Sequence, residues 1–269
     1  MEQRIGIVAG SGEFPFLVLE EAKKMGCFCA VAGIRGEAET GLKEKADIFE
    51  WFEVGGILNL VSFFKKTGVK EAVIAGSVDR RYIFNKEKFN EVSLGLLSQS
   101  QDRSPTAIIK TIINFIEKEG VQIMDPAVFI SSSFCQESIL TETKPSPEVE
   151  ENLVFGWEIA KNIADLDIGQ TVIVKDKTVV AVEGIEGTDE TIIRGGRLAG
   201  EEIVAIKVSR SLQDTRVDLP AVGLKTIEAL AEVRGRALCF EAGKVPFFQK
   251  QKAVSLADSN RISIVVRKS

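Results

Sequence analysis

The sequence predicts an α/β protein in two parts: a Rossmann-like N-terminal domain on a parallel sheet, then a second α/β domain on a mixed sheet. Three observations carry this. Apolar runs of strand length alternate with amphipathic helical stretches over residues 4–124, the pattern of βαβ units. The first run, Arg4–Ala9, leads into Gly10-Ser11-Gly12-Glu13-Phe14-Pro15, a glycine loop that opens a helix and turns backbone N–H groups toward a phosphate. Farther on, Lys175-Asp176-Lys177 joins two apolar runs at 170–174 and 178–183, a connection short enough for a hairpin and therefore for an antiparallel pair. A length of 269 residues suits two domains,. We place a nucleotide-binding domain at 1–135, a linker at 136–147, and a second domain that carries the polar motifs at 148–269.

In order, Pro15 fits the first turn of a helix over 15–25 that stops at Gly26,. A strand at Phe28–Ile34 follows, then a strand at 48–54, a helix at 56–66 ending before Gly68, and a strand at Glu71–Ala75. The last runs into Gly76-Ser77-Val78-Asp79-Arg80-Arg81, which a doubly wound sheet brings beside the first glycine loop. Arg80 and Arg81 read equally well as solvated side chains. The dinucleotide fingerprint is broken: Pro15 stands where a third glycine belongs, and the second strand ends at Arg35 where an acid would hold a ribose,. Residues 84–101 are weakly periodic and read as a mobile helix or loop. Asp102-Arg103-Ser104-Pro105 starts a helix through Ile108, Ile112 and Phe115, and a short strand at 121–124 ends in the turn Asp125-Pro126. The stretch 136–147 is polar and carries Pro145 and Pro147,. A helix at 148–164 opens the second domain, and the chain closes with a helix at 221–233 and strands at 237–241 and 262–266.

Composition narrows the function. The chain is 45% hydrophobic and 27% charged with a net charge of −5, ordinary for a globular protein and poorly suited to nucleic acid. No apolar run has the length of a membrane span, and no signal-peptide core precedes the first strand,. Cys27, Cys29, Cys135 and Cys239 lack zinc spacing and read as reduced, buried thiols in a cytoplasmic protein,.

Two polar clusters leave the ends of apolar strands. They are Glu183-Gly184-Ile185-Glu186-Gly187-Thr188-Asp189 and, after residues 203–208, Gln213-Asp214-Thr215-Arg216-Val217-Asp218-Leu219-Pro220. Together with Lys207 they supply five acids, a lysine, an arginine, two threonines and a glutamine. Such a set can bind a metal and a phosphate. The chain contains no histidine, which excludes imidazole bases, His-based triads and His-ligated zinc. Carboxylates, a lysine, or a water activated by a hard cation such as Mg2+ must do the chemistry. Thr188 read alone is a plain N-cap for a helix starting near Asp189.

These residues carry a resemblance. Asp165-Leu166-Asp167-Ile168-Gly169-Gln170, the 183–189 cluster and the run Gln213 through Pro220-Ala221-Val222-Gly223 resemble the LpxI-type UDP-2,3-diacylglucosamine pyrophosphatases of lipid A synthesis. The opening Ile7-Val8-Ala9-Gly10-Ser11-Gly12-Glu13-Phe14-Pro15 and the turn Ala75-Gly76-Ser77-Val78 match as well, so the resemblance spans nearly the whole chain. It implies a UDP-binding first half, a lipid-binding second half, and Mg2+-dependent attack of water on the α-phosphate to give UMP and 2,3-diacylglucosamine 1-phosphate. It implies that an acid of the Gln-Asp-x-Arg-x-Asp-x-Pro motif is essential for turnover, with Asp214 and Asp218 both candidates beside Lys207. The metal ligands it suggests are Asp214, Asp218 and Glu183. Substrate contacts fall to Gly10, Ser11, Gly12, Gly76, Ser77, Asp102, Gln170, Glu186, Thr188, Asp189, Gln213 and Arg216. Asp102 comes from residues 99–103, which follow a family Gly-Asp-Asp turn only loosely, and Ser209-Arg210-Ser211-Leu212 replaces a Lys-Pro-Gly-type turn. A lipid substrate allows peripheral contact with the inner-membrane face, and open sheet edges allow a homodimer. The competing readings are a non-catalytic nucleotide or sugar-nucleotide binding protein and an NAD-dependent oxidoreductase. Pro220 is expected to start the helix that follows Asp218, aiming its free N–H groups at the phosphate site.

Overall fold

The structure is a computed structural model that describes residues 2–79, 82, 94–95, 98 and 104–269. Asp102, Arg80, Arg81 and nearly all of 84–101 lie outside these residues. The chain divides into two compact units: residues 1–131 with 214–218, and residues 132–213 with 219–269.

The first unit is built on five parallel strands: β1 (Arg4–Ala9), β2 (Phe28–Ile34), β3 (Ile48–Phe52), β4 (Glu71–Ala75) and β5 (Gln122–Ile123), in the order β3-β2-β1-β4-β5. Strand order reverses at β1, so the β1 and β4 loops face a topological switch point. β1 and β2 are buried almost throughout, as strands covered on both faces must be. Among the described residues, its α-helices include α1 (Phe14–Lys24), α2 (Leu42–Lys45), α3 (Ile57–Lys66) and α4 (Pro105–Lys118). The β1-α1-β2 and β3-α3-β4 crossovers run in opposite directions along the sheet, so right-handed connections put α1 and α3 on opposite faces,. One core gathers Leu60, Phe63 and Phe64 from α3 with Ile113 and Ile116 from α4, and also takes in Val217. Ser104 caps α4, its hydroxyl accepting from the Ala107 N–H at 3.2 Å.

The second unit holds six strands: β6 (Ser138–Ile139), β7 (Thr171–Lys175), β8 (Thr178–Val182), β9 (Val204–Lys207), β10 (Ala237–Glu241) and β11 (Ser263–Arg267), in the order β6-β11-β10-β9-β7-β8. β9, β10 and β11 are parallel; β7 runs antiparallel to β9 and β8, and β6 antiparallel to β11. The mixed sheet is therefore as expected. The hairpin turn has Asp176 at φ 48° and Lys177 at φ 54°, the left-handed pair a tight two-residue hairpin needs. Alternate residues split the core cleanly. Val172, Val174, Val204, Ile206 and Cys239 meet Leu153, Trp157, Ala160 and Ala164 of α5 (Pro147–Asp165). Ile173, Ala205, Leu238, Phe240 and Ile264 meet the other three helices, α6 (Thr188–Ala199), α7 (Leu224–Glu232) and α8 (Lys250–Ser259).

Three expectations change here. Residues 136–147 are more than a connection: β6 lies in them, and the Thr141 hydroxyl accepts from the Ile264 N–H at 3.0 Å. Pro220 does not start a helix; α7 begins at Leu224. Val222 is instead drawn into a parallel bridge with Phe247, donating its N–H to Pro246 O at 3.1 Å and accepting from Phe248 N–H at 2.9 Å. Gly187, at φ 86°, occupies the N-cap position of α6, so Thr188 is its first residue and not its cap. No described helix is long and apolar enough to cross a membrane.

Candidate active site

In the first unit the two glycine loops are zipped together. Gly10 N–H donates to Ala75 O at 2.8 Å, Ser11 N–H to Ser77 O at 2.7 Å, and Ser77 N–H to Ser11 O at 3.3 Å. The two hydroxyls, Ser11 and Ser77, lie 2.8 Å apart. A Cβ on Gly10 would stand 2.4 Å from Ser77 O; Gly76, at φ 86°, could carry one only 2.5 Å from Ser11 O. Glycine is thus required at both places by the approach of one backbone to another. The N–H groups of Gly10 and Ser11 are engaged within the protein, which corrects the expectation that they are free for a phosphate. Gly12, at φ 88°, has open space where a side chain would be and leads directly into α1.

In the second unit, hydrogen-bonded register places the start of β7 and the ends of β8 and β9 along one sheet edge: Thr171 pairs with Lys207, and Val172 with both Val182 and Ile206. Gln170, Glu183 and Lys207 meet there, each 5–6% exposed. The Glu183 carboxylate accepts from Gln170 N–H at 3.3 Å and from the Thr188 hydroxyl at 3.2 Å, and lies 3.9 Å from the Lys207 ammonium. Lys207 donates to the Thr188 hydroxyl, and Thr171 lies 3.4 Å from the same oxygen. Asp189, on the first turn of α6, is pushed above the usual carboxylate range by burial, with Lys207, Lys225 and the Thr226 hydroxyl acting against the shift and Glu183 adding to it. Glu186 faces a different task. It accepts from Gly184 N–H at 3.1 Å and from Thr191 at 3.3 Å, and pairs with Arg194, which also reaches Val182 O at 2.8 Å. Glu186 therefore braces the loop between β8 and α6.

The motif at 214–218 folds as a turn: Val217 N–H and Asp218 N–H both donate to Asp214 O, at 3.0 and 3.2 Å. Asp214 Oδ1 accepts from Arg216 N–H at 3.1 Å and from Nε at 3.0 Å, while Oδ2 accepts from a terminal guanidinium nitrogen at 2.9 Å. The hydrogen bonds from Arg216 hold the Asp214 carboxyl below its usual range, against the pull of burial. Arg216 also bonds Glu117 at 3.3 Å. Val217 is 8% exposed, and Asp218 is partly buried. Gln213 Oε1 accepts from Arg210 N–H at 3.3 Å.

Among the described residues no group of three or more acid or cysteine side chains is placed to hold a metal ion. Glu183 is committed to Lys207, Thr188 and Gln170. Mg2+ needs no such cage, since one or two carboxylates with waters and phosphate oxygens suffice. Asp214 and Asp218, two acids on one five-residue turn, fit that chemistry.

Sequence reading overlooked Glu241, Lys161, Lys225 and Thr226. A glutamate ending the apolar run Ala-Leu-Cys-Phe of β10 was the available signal for the first. Lys161, Lys225 and Thr226 carried none, because each sits at an ordinary helical position.

Comparison with known proteins also divides the chain near residue 134, but assigns 214–218 to the second part. The model of the LpxI N-terminal domain matches residues 4–133, and that of the LpxI C-terminal domain residues 136–265. The UDP-2,3-diacylglucosamine pyrophosphatase LpxI of Caulobacter vibrioides is 25% identical over 269 residues, covering 95% of this chain and 94% of that protein. Among solved structures, the UDP-glucose 4-epimerase of Thermus thermophilus in complex with NAD aligns at 11% identity and a TM-score of 0.35, over 99% of this chain and 86% of that one. An L-threonine dehydrogenase from Phytophthora infestans aligns at 15% identity and a TM-score of 0.29, over 45% of this chain and 34% of that one. Scores this low carry no conclusion. With both domain models matched in order along nearly the entire sequence, the chain belongs to the LpxI family.

Proposed function

We propose that the protein hydrolyses UDP-2,3-diacylglucosamine at its α-phosphate, releasing UMP and 2,3-diacylglucosamine 1-phosphate for lipid A synthesis, with Mg2+ as cofactor. The observation that carries this reading is the pairing of family membership along the chain with an intact Gln-Asp-x-Arg-x-Asp-x-Pro motif at 213–220. The relative from Caulobacter vibrioides, matched over nearly its full length, is named for that activity.

The nucleotide half of the substrate goes to the β1 and β4 loops, where Gly12 has open space beside it at a switch point,. The sugar-phosphate half goes to the Lys207, Thr188 and Asp189 corner, where a buried ammonium and two hydroxyls gather beside a helix start,. Asp218 orients the attacking water and takes up its proton. The water oxygen bonds to the α-phosphorus as the bond to the bridging oxygen breaks, and that oxygen leaves on the lipid 1-phosphate. Lys207 and Arg216 balance negative charge that gathers on the phosphates. Asp218 and Asp214 are the residues that would hold Mg2+, whose contribution is neutralisation of phosphate charge. Asp214, bound on both oxygens by Arg216, keeps that arginine in place.

The test is incubation of the purified protein with UDP-2,3-diacylglucosamine and Mg2+. UMP release is expected; its absence with every divalent cation tried removes the reading. Peripheral contact with the inner-membrane face, a cytoplasmic location and homodimer formation belong to the same proposal.

A further inference from the structure

Among the described residues not assigned so far, the most deeply buried carboxylate is Glu241, 1% exposed at the end of β10. Its Oε2 accepts from Ser209 N–H at 2.9 Å and from Lys161 at 3.1 Å; its Oε1 accepts from Lys244 at 2.8 Å and from the Ser269 hydroxyl. Burial alone would raise the carboxyl, but these donors outweigh it and hold Glu241 below the usual range. Lys161, reaching across from α5, also donates to Ser209 O at 2.6 Å. The N–H and C=O of Ser209 are therefore gripped by a strand residue and a helix residue that are themselves an ion pair.

The grip continues along the segment. Asp165 accepts from both the N–H and the hydroxyl of Ser211, each at 2.7 Å, and Asp167 pairs with Arg210 at 2.7 Å. Residues 208–213 form no helix or strand, so side chains from α5, from Asp167 just beyond it and from β10 give this segment its shape. It begins next to Lys207, which the proposed reaction uses, and ends at Gln213, a substrate contact that the family resemblance implies. A buried ion pair seldom adds more stability than apolar side chains of the same volume. Its advantage is directional: hydrogen bonds to a charged partner fix a peptide in one orientation, as packing does not.

We infer that Glu241 and Lys161 are positioning residues, clamping the Ser209 peptide so that Lys207 and Gln213 meet the substrate in a single geometry. The catalytic half of this inference rests on the pyrophosphohydrolase reading; the clamp does not.

Two variants of the full-length protein, Glu241→Gln and Lys161→Met, test it by amide hydrogen exchange and by steady-state kinetics. Lys161 is the more accessible of the pair, so its replacement keeps the test open should Glu241→Gln fold poorly. Exchange over 208–213 is expected to quicken about tenfold in either variant while β9 and α5 keep their protection. The kcat is expected to fall about tenfold with KM held within about threefold, and the double variant to be no worse than the poorer single one. Unchanged exchange over 208–213 overturns the clamp. Faster exchange with wild-type kcat overturns the positioning role. A wild-type protein that releases no UMP removes the function and the catalytic half together, while exchange still decides the clamp.

Discussion

Asp214 and Arg216 form a closed unit within one turn, with both carboxylate oxygens bound by the arginine two residues on. This arrangement separates the two acids of the motif. Asp214 is tied to a cation that also reaches Glu117, whereas Asp218 lies at the far end of the turn, its N–H on Asp214 O.

Different outcomes follow for the two acids. Asp218→Ala should lower kcat by about 100-fold or more, the scale of a lost acid–base group, with little change in Tm. Asp218→Asn should be nearly as inactive, since the amide cannot take the proton. Asp214→Asn should lower Tm by breaking the arginine bracket, at a cost of about 1–3 kcal/mol. Kinetics and thermal melts on the three variants decide it. A nearly wild-type Asp218→Asn beside a dead Asp214→Asn transfers the role to Asp214.

The Asp214–Arg216 bracket also fixes a pH dependence. Because Asp214 has a lowered folded-state pKa, the unfolded chain binds its proton first on acidification. The stabilisation is present above the unfolded carboxylate value of about 4 and is lost as pH falls through the folded value. Melting curves from about pH 7 down to about pH 3 should show a steeper acid loss for the wild type than for Asp214→Asn. Parallel curves would contradict this.

Asp189 has the opposite sign. Its pKa is raised by burial, opposed by Lys207 and Lys225, so its favourable contribution is complete below the unfolded value and is lost as pH rises through the folded one. Asp189→Asn should match or exceed wild-type stability near pH 7, lose that advantage in acid, and show reduced turnover. A variant that melts several degrees below wild type near neutrality would mean that the ionised carboxylate is held favourably by its lysines.

The glycine loops give a steric prediction. In Gly10→Ala the new methyl meets main-chain atoms of Ser77, which cannot swing aside as a flexible side chain would. About 1–3 kcal/mol of stability should be lost, along with most UDP affinity. Titration calorimetry with UDP checks the second part, and undiminished binding would detach the nucleotide from these loops.

Much of the framework was legible because local signals agreed with it. β1, β2 and β4 follow their apolar runs, α4 and α5 start at Ser-Pro caps, and the β7–β8 turn is short and polar. What escaped was decided at a distance. Val222 is extended because it pairs with Phe247, so Pro220, a good helix-starting residue, starts nothing. α8 buries only Ala253 and Ala257, too small a stripe to stand out. β6 is two residues long and exists only through β11. At the candidate site, the motif named Lys207, Thr188 and Glu183, and the sheet register brings them together. Glu241 and Lys161 stayed hidden, since their pairing joins a helix to a strand 80 residues away.

The most direct test of the central claim is hydrolysis of UDP-2,3-diacylglucosamine in water enriched in heavy oxygen, with Mg2+ and again after chelation. The account predicts UMP that carries the label, unlabelled 2,3-diacylglucosamine 1-phosphate, and no turnover until Mg2+ is restored. Label in the lipid phosphate would place attack at the other phosphorus, and undiminished turnover after chelation would remove the metal; either result contradicts the account.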